Sequence, residues 1–259
     1  MELKTAKVIQ NKVLSKNTFL MQLQSIQKMK VYPTQFIFLD TYPYKFLLKP
    51  FTIVEYRENI LTLIYRTISD GTRFLSTLGK GNIIKFLGPF GNYKKITSLK
   101  IKSEDKIALI AGGSGIASII CLYNYFKNFT DNIQIFYGEQ TKEYIINLKL
   151  FDIKNIVYTT DDGSYGNKGT VVEIFTNRYP LNVPNYVFLC GPVAMIETLY
   201  SNLRKFNSTK IYVLLEEYMC CGVGVCRSCI VKVRSKNKSV IKTVCQDGPT
   251  FELKNILFD

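Results

Sequence analysis

The chain has 259 residues, of which 47% are apolar and none is histidine, and its formal net charge is +14. This length predicts two compact units and a small appendage, and the lack of histidine excludes imidazole as a catalytic base, haem ligand or zinc ligand. The lysines are scattered and form no basic arm or helix, which disfavours nucleic-acid binding. Because no apolar run approaches the roughly 18 residues of a membrane span and no secretory pattern opens the chain, we expect a cytoplasmic protein without a membrane span.

Residues 1–99 contain short apolar segments separated by turn residues, a pattern typical of an antiparallel β-barrel. The predicted strands cover residues 5–8, 18–22, 36–39, 51–55, 60–66 and 82–87, and a short helix is predicted over 72–78. We expect this barrel to be the first of three domains.

Residues 100–209 alternate between strand and helix patterns. The predicted strands cover 106–110, 133–137, 155–159 and 186–189, and the predicted helices run from the glycine turn at 112–115 to about 129, over 171–178 and over 193–206. Such alternation predicts a parallel sheet covered by helices, an α/β domain.

Residues 210–259 begin with a predicted strand over 211–215 and then contain five of the seven cysteines of the chain. A piece this small has few core residues and normally needs a bound metal to fold. We therefore expect a third, metal-containing domain.

Four of these cysteines form the pattern C-x4-C-x2-C-x15-C: Cys221, Cys226, Cys229 and Cys245. Thiolates are soft, anionic ligands, and the spacing of the first three matches that of plant-type 2Fe-2S centres. Gly222 and Gly224 allow a loop to wrap closely around a cluster and to donate amide hydrogen bonds to its sulfurs. We predict that the four cysteines bind a 2Fe-2S cluster and that the chain carries electrons.

Two alternatives remain for these cysteines. A zinc site is one, although structural zinc sites usually combine two C-x2-C pairs, whereas here three cysteines crowd one short span. The other is ligation by Cys220 in place of Cys221; the x4 gap and Gly222 favour Cys221, which leaves Cys220 as a small buried side chain.

Two glycine-containing turns are candidates for nucleotide binding. The first follows a predicted strand and opens a helix, so its amides could receive a pyrophosphate; it comprises Gly112, Gly113, Ser114 and Gly115. The second lies at the carboxyl end of a later strand, where open parallel sheets bind ligands, and comprises Cys190, Gly191 and Pro192. Neither is a G-x-G-x-x-G fingerprint, and an ordinary tight turn explains both equally well.

Three segments of the predicted barrel combine cations, hydroxyls and a glycine-threonine helix start, which are suitable partners for a flavin and its phosphates. They comprise Lys49, Pro50, Phe51 and Thr52; Ile64, Tyr65 and Arg66; and Gly71 and Thr72. Each segment alone is more often a solvated charge or an ordinary cap, but their order along the chain supports a flavin site.

Taken together, these motifs resemble those of the ferredoxin reductase-like flavoproteins, and within them most closely the electron-transfer subunits of dihydroorotate dehydrogenase B. Residues 49–52, 64–66 and 71–72 are similar to the Arg-Pro-x-Ser, Tyr-Arg and Gly-Thr motifs that bind FAD in that family. The nicotinamide-binding turn, the Asp-Gly-x-x-Gly stretch and the Cys-Gly-Pro turn of the family resemble residues 111–118, 160–166 and 190–192. The most specific similarity is that of residues 215–226 and 244–249 to the cluster loop.

This resemblance implies an FAD-binding β-barrel at 1–99, an NAD-binding α/β domain at 100–209 and a 2Fe-2S domain at 210–259. NADH would be the substrate, and electrons would pass through FAD and the cluster to an FMN-containing dihydroorotate dehydrogenase catalytic subunit in pyrimidine (UMP) biosynthesis. A cytoplasmic heterotetramer of two copies of each subunit is expected. No catalytic acid or base is expected in this chain, which agrees with its lack of histidine.

The family pattern is not fully matched. Lys49 stands where arginine is usual and lacks its bidentate geometry toward phosphate, and Ala117 and Ser118 replace the usual Ala-Pro. The small subunit of a bifurcating ferredoxin-NADP oxidoreductase or of a sulfide dehydrogenase is the first alternative, but the bifurcating type resembles a version with aspartate at one ligand position. A zinc-stabilised binding module without redox activity is the second.

Overall fold

The computed structural model of the chain describes residues 2–42, 49–202, 206, 208–236 and 238–258. All predicted site residues lie within these ranges, whereas residues 203–205 of the helix predicted over 193–206 lie outside them. No helix in the described part of the chain is long and apolar enough to cross a lipid bilayer.

The described residues form strands and α-helices in the following order: β1 (Lys4–Ser15), β2 (Thr18–Ser25), β3 (Phe36–Leu39), β4 (Lys49–Arg57), β5 (Ile60–Arg66), α1 (Asp70–Thr77), β6 (Ile83–Phe90), α2 (Lys94–Thr97), β7 (Ile107–Gly112), α3 (Ile116–Phe126), β8 (Ile133–Glu139), β9 (Ile156–Thr160), β10 (Asn167–Lys168), α4 (Val171–Arg178), β11 (Tyr186–Cys190), α5 (Val193–Ser201), β12 (Lys210–Leu214), β13 (Ile230–Ser235), β14 (Lys238–Thr243) and β15 (Thr250–Glu252).

Strands β1 to β6 close into an antiparallel barrel in the order β1-β2-β5-β4-β3-β6. Apolar side chains from successive strands meet in its interior, where Met21, Leu23, Ile37 and Leu63 are fully buried. The barrel therefore has a packed core, and a ligand has to bind at its outer edge rather than inside it.

The second sheet has the strand order β10-β9-β8-β7-β11-β12-β15, and all of its strands except β15 run parallel. Its central strand β7 is buried at every residue, as expected for a sheet covered on both faces. This sheet and the barrel confirm the fold class predicted from the sequence.

The last 50 residues are joined to this sheet, since β12 and β15 form its edge. The expected domain boundary at residue 209 falls directly before β12. What remains apart from the sheet is the cysteine loop and the two-stranded hairpin of β13 and β14.

Some element boundaries differ from those predicted. Helix α1 begins at Asp70, two residues earlier than expected, because Ser69 and Thr72 form a capping box at its start. Residue 82 was predicted to begin a strand, but Asn82 accepts a hydrogen bond from the amide of Gly79 in the preceding turn, and β6 begins at Ile83. Helix α3 ends at Phe126 rather than near residue 129.

The ring of Tyr65 lies in the barrel core, between Phe19 and Phe51, at centroid distances of 5.6 and 5.9 Å. Its hydroxyl donates a hydrogen bond of 3.0 Å to Oδ1 of Asn11. Burial outweighs this bond and raises the pKa of Tyr65 to about 12. Tyr65 therefore helps to hold β5 against β1 only while it is protonated.

We expect Tyr65→Phe to lose this hydrogen bond and with it part of the alkaline sensitivity of the barrel. The folded-state pKa of Tyr65 lies above the unfolded value near 10, so the protonated phenol stabilises the fold. This stabilisation is complete below pH 10 and is lost as the pH rises through about 12. Urea unfolding at several pH values between about 9 and 11 should show that the stability of the variant increases relative to that of the wild type as the pH rises. Tyr218→Phe, at a site that is 91% exposed, is the control, and the same trend in both variants would contradict this role.

Candidate functional site

The two predicted nucleotide turns pack directly against each other at the carboxyl ends of β7 and β11. A Cβ atom on Gly115 would lie 2.2 Å from the carbonyl oxygen of Cys190, and one on Gly191 would lie 3.1 Å from Cα of Gly112. Any side chain at these positions would force the two strands apart, so the glycines are required by backbone packing. The structure thus brings residues 112–115 and 190–192 into one site.

Gly113 has a different environment from its neighbours. Its φ is +57°, and a Cβ atom there would have only Nη1 of Arg66 nearby, at 3.6 Å. Ser114 beside it is exposed, and α3 begins two residues later. This part of the turn is open toward the barrel, and the first amides of α3 lie next to it, which is an arrangement suited to an anionic group.

A series of neighbouring polar side chains extends from the barrel to this edge of the sheet. Oγ1 of Thr52 in β4 lies 3.1 Å from Oγ of Ser118 in α3, and the Ser118 hydroxyl lies near the thiol of Cys190 and opposes the rise of its pKa. The Cys190 Sγ lies 3.9 Å from Oε1 of Glu216, which follows β12. Four elements therefore converge on one cleft between the barrel and the sheet.

Cys190 and Glu216 both have raised pKa values. Burial and the neighbouring Glu216 carboxylate raise the pKa of the Cys190 thiol well above its ordinary value, so the thiol stays protonated at neutral pH. The pKa of Glu216 is raised because protein atoms crowd its carboxylate, although part of the residue is exposed to solvent. The cleft therefore has a buried thiol at its inner end and an exposed carboxylate at its outer end.

Glu216 was not identified as a functional residue from the sequence, and Ser118 appeared there only as a departure from the family pattern. Ser118 lies in an apolar helix and its hydroxyl is buried. A serine in such an apolar sequence could have been identified as a residue that needs a polar partner. Glu216 is adjacent to the cysteine pattern but gives no such signal. Its proximity to Cys190 depends on the parallel pairing of β11 with β12.

Seven of the nine predicted flavin residues lie on the neighbouring barrel strands β4 and β5, and Thr52 is the one whose side chain joins these polar contacts. Lys49 and Pro50 are half-buried at the start of β4, opposite Leu39 and Phe38 of β3. The ring of Phe51 points into the barrel core, and Ile64 packs with the core of the sheet. Phe51 therefore faces the core of the barrel, Ile64 faces the core of the sheet, and Thr52 faces the cleft.

Arg66 leaves the end of β5 and reaches the second sheet. Its Nη2 forms an ion pair with Oε1 of Glu139, which also accepts a 2.7 Å hydrogen bond from the hydroxyl of Tyr137. The Glu139 side chain is only 3% exposed, and burial raises its pKa against the opposing effect of Arg66. Nε of Arg66 is buried without a hydrogen-bond partner in the described residues, so one donor remains for an additional acceptor.

Gly71 and Thr72 lie in the first turn of α1. The hydroxyl of Thr72 accepts hydrogen bonds from the amides of Ile68 and Ser69, both at 3.0 Å, and donates one to the carbonyl of Ser69 at 3.0 Å. This hydroxyl is thus fully engaged in starting the helix. Any contact of this segment with a phosphate has to use backbone amides instead.

The cysteine loop brings the four predicted ligands together. The amide of Cys226 points at Sγ of Cys221 at 3.4 Å, and the amide of Gly224 points at Sγ of Cys245 at 3.1 Å. Gly222 and Gly224 have φ values of +73° and +80°, which other residues rarely adopt. The loop therefore directs its amides toward sulfur, as the ligand loop of an iron-sulfur cluster does.

The four thiols are close enough to shift one another's pKa. Hydrogen bonds from Ser228 and then from Cys221 lower the pKa of Cys226 to about 6. Burial, followed by the thiol of Cys229 and, to a smaller extent, that of Cys221, raises the pKa of Cys245 to about 12. Cys220 is exposed, rather than buried as expected, and is not among the described neighbours that shift these pKa values.

The cysteine spacing and the amides aimed at sulfur fit a two-iron cluster better than a single metal ion. A tetrahedral zinc site needs four ligands around one point, whereas a cluster with two irons and four cysteines needs two thiolates at each iron. The residues present therefore fit a 2Fe-2S group.

Comparison with known proteins finds similarity along the whole chain. Residues 216–257 match the family model described as the iron-sulfur cluster binding domain of dihydroorotate dehydrogenase B. The chain is 30% identical over 253 residues to the dihydroorotate dehydrogenase B (NAD(+)) electron transfer subunit of Caldanaerobacter subterraneus subsp. tengcongensis, with 98% of each chain covered. It is 31% identical to the corresponding subunit of Listeria innocua serovar 6a, with 96% of this chain and 97% of the relative covered.

Solved structures show the same fold. One is the structure of an NADH-dependent reduced ferredoxin-NADP oxidoreductase, which was studied for flavin-based electron bifurcation. It superposes on this chain with a TM-score of 0.83 at 25% sequence identity, and the match covers 97% of this chain and 89% of the oxidoreductase chain. The ferredoxin reductase of carbazole 1,9a-dioxygenase gives a TM-score of 0.67 at 15% identity, over 80% of this chain and 66% of its own, and supports the fold alone.

We expect Gly115→Ala to destabilise the protein by at least the roughly 1–3 kcal/mol typical of overpacked sites, because the new methyl group would meet the backbone of Cys190. Gly79→Ala is the matched control, since a Cβ there lies 4.0 Å from its nearest neighbour, Oδ1 of Asn82. Urea unfolding of both variants measures the difference. Equal stability of the two variants would show that the turns do not pack as described.

Proposed function

Because the chain belongs to the family of dihydroorotate dehydrogenase B electron-transfer subunits, we propose that it carries electrons between NADH and a separate catalytic subunit that interconverts dihydroorotate and orotate. This reaction is part of pyrimidine biosynthesis. The chain is an oxidoreductase subunit with FAD and a 2Fe-2S cluster as cofactors and NAD(H) as substrate. The observation that carries the proposal is a loop of four neighbouring cysteines whose amides point at sulfur, on a chain in which a barrel contacts a parallel sheet.

The residues that would hold the cluster are Cys221, Cys226, Cys229 and Cys245, and the cluster would supply one-electron transfer. Cys226 has a pKa of about 6 and is therefore largely a thiolate at neutral pH, ready to bind iron. The amides of Gly224 and Cys226 donate toward the ligand sulfurs and stabilise their negative charge. The division into domains follows the sequence prediction: FAD at 1–99, NAD at 100–209 and the cluster at 210–259.

FAD is assigned to the outer edge of the barrel along β4, the end of β5 and the start of α1. Bound there, FAD accepts the two electrons of a hydride, and the cluster passes electrons one at a time. The residues assigned to it are Lys49, Pro50, Phe51, Thr52, Ile64, Tyr65, Arg66, Gly71 and Thr72. Arg66 supports this assignment because its buried Nε lacks a partner, and a phosphate oxygen would satisfy it.

The nicotinamide nucleotide is assigned to the paired turns, which comprise Gly112, Gly113, Ser114, Gly115, Cys190, Gly191 and Pro192. The protonated thiol of Cys190 and the hydroxyls of Ser118 and Thr52 line the passage between this site and the barrel. These groups position the reacting rings and exclude water, and none of them has to transfer a proton. This agrees with a reaction in which the cofactors perform the chemistry.

The partner is an FMN-containing dihydroorotate dehydrogenase subunit, in a cytoplasmic heterotetramer with two copies of each chain. Docking at the cysteine loop is supported by its exposed apolar side chains, since Tyr218 is 91% and Val225 is 83% exposed. Such residues beside a redox site are typical of an interaction surface. Docking there shortens the path from the cluster to the partner.

A second candidate function is supported by the similarity to the bifurcating oxidoreductase structure, which covers nearly the whole chain. The four-cysteine ligand set favours the dihydroorotate dehydrogenase assignment over this alternative. The two functions differ in the electron acceptor and can be separated by one assay.

We expect the purified complex with the catalytic subunit to reduce orotate with NADH, and Cys221→Ser to lower this rate about tenfold or more, because one cluster ligand is lost. NADH oxidation with ferricyanide, which accepts electrons directly from the flavin, should change by less than about twofold. Cys220→Ser is the matched control and should leave both rates unchanged. If Cys220→Ser loses orotate reduction and Cys221→Ser retains it, then Cys220 rather than Cys221 is the cluster ligand.

If the wild-type chain contains flavin and cluster and oxidises NADH, but neither binds that subunit nor supports orotate reduction, then the proposed acceptor is wrong. Reduction of NADP by NADH together with reduced ferredoxin would then identify the bifurcating alternative.

A further inference from the structure

A cavity of about 450 Å³ lies between the barrel side of the molecule and the β13–β14 hairpin, away from the cleft that joins the two turns. We name it the hairpin pocket. One wall is formed by the segment around α2, another by the hairpin, and the floor by β15. Its lining comprises Asn92, Lys94, Lys95, Ser98, Val233, Arg234, Ser235, Lys242, Asp247, Thr250, Phe251, Glu252 and Asn255.

The acidic groups of the hairpin pocket are already neutralised. Asp247 is paired with Lys242 at 2.9 Å, and its carboxylate also accepts a 2.8 Å hydrogen bond from the amide of Thr243. Glu252 is paired with Lys254 at 2.9 Å and accepts a hydrogen bond from Asn255. Neither carboxylate is left to balance the remaining cations.

Three cations of the pocket have no acidic partner among the described residues: Lys94, Lys95 and Arg234. Lys94 and Lys95 lie on the α2 side and Arg234 on the hairpin, so they face the cavity from two walls. All three side chains are exposed, and because the two carboxylates of the lining are already paired, the cavity keeps an excess of positive charge. Such an excess favours an anion with more than one negative charge.

The floor of the pocket is apolar and contains one unpartnered hydroxyl. Val233 and Phe251 are each 7% exposed, and Thr250 is 1% exposed. Oγ1 of Thr250 is buried without a hydrogen-bond partner in the described part of the chain. Buried hydroxyls are normally satisfied, so a floor with an unsatisfied one is suited to an additional acceptor.

From these features we propose that the hairpin pocket binds the phosphate group of a small phosphorylated molecule. The phosphate is held by Lys94, Lys95 and Arg234, and the rest of the molecule packs on Val233 and Phe251. The cavity volume lies within the range of about 300–1,000 Å³ that is usual for small-molecule sites. An acidic protein surface is the less suitable ligand, because the charged groups line a concave site with a buried floor.

The pocket also borders the turn that carries a predicted cluster ligand. The carboxylate and amide of Asp247 both bond to Thr243 and close the turn from 243 to 247, which contains Cys245. On the barrel side, the amide of Asn92 donates a 2.6 Å hydrogen bond to the carbonyl of Gly248. A phosphate held between the two walls thus braces this turn against the barrel.

Calorimetric titration of the holoprotein with inorganic phosphate and with phenyl phosphate tests the proposal, at a constant ionic strength of about 0.1 M and with NAD⁺ present to fill the nucleotide site. The test variant is Lys94→Gln, Lys95→Gln, Arg234→Gln. The matched control, Lys12→Gln, Lys80→Gln, Lys154→Gln, removes the same charge from exposed positions outside the pocket. Lys95→Gln alone should give an intermediate affinity.

We expect both anions to bind the wild type and the control variant, and the affinity to fall about tenfold or more in the pocket variant, since three charge-assisted contacts are removed. Tighter binding of phenyl phosphate than of inorganic phosphate would identify a phosphate ester as the ligand, and equal binding would identify free phosphate. Absence of binding to the wild type, or equal binding by the pocket and control variants, would overturn the proposal. If neither anion binds and the pocket variant loses affinity only for the catalytic subunit, the pocket is a protein interface instead.

Discussion

One continuous apolar core joins the cysteine-rich segment to the parallel sheet and to barrel strand β3. It contains Phe38 of the barrel, Ile110 of the sheet, Val233 of the hairpin, and the proposed ligands Cys229 and Cys245. A segment of about 50 residues buries too little surface of its own to hold a loop rigidly. Sharing a core with both larger units fixes the cysteine loop against the barrel, where Gly222 packs on the ring of Phe38. Electron transfer between a flavin and a cluster depends on such a fixed arrangement.

Part of the positive charge of the protein is offset by its cofactors. A chain with a formal net charge of +14 would ordinarily suggest a nucleic-acid partner. FAD, the nicotinamide nucleotide and a four-thiolate cluster are all anionic, and the sites proposed for them contain Arg66, the first amides of α3 and the amides of the cysteine loop. The buried ion pair of Arg66 with Glu139 also connects the barrel to the sheet. Cationic groups therefore serve both binding and the arrangement of the domains.

The sequence predicted features with local physical causes. Cysteine spacing, the glycine turn at 112–115 and the alternation of strands and helices each depend on nearby residues, and the fold class was predicted correctly from them. The hairpin of β13 and β14 was missed because its strands are short and mostly exposed. The proximity of Ser118, Cys190 and Glu216 was also missed, since it arises from strand pairing and helix packing between distant segments. The contact of Arg66 with Glu139 likewise depends on how the barrel meets the sheet.

The four thiols are proposed to hold a two-iron cluster that receives electrons from NADH through FAD. Determination of iron, acid-labile sulfide and zinc in the purified chain, with electron paramagnetic resonance after addition of NADH, tests this proposal. We expect about two irons and two sulfides per chain and a signal from one unpaired electron on the reduced cluster. About one zinc per chain, without sulfide and without a signal, would contradict it and identify the cysteines as a structural zinc site.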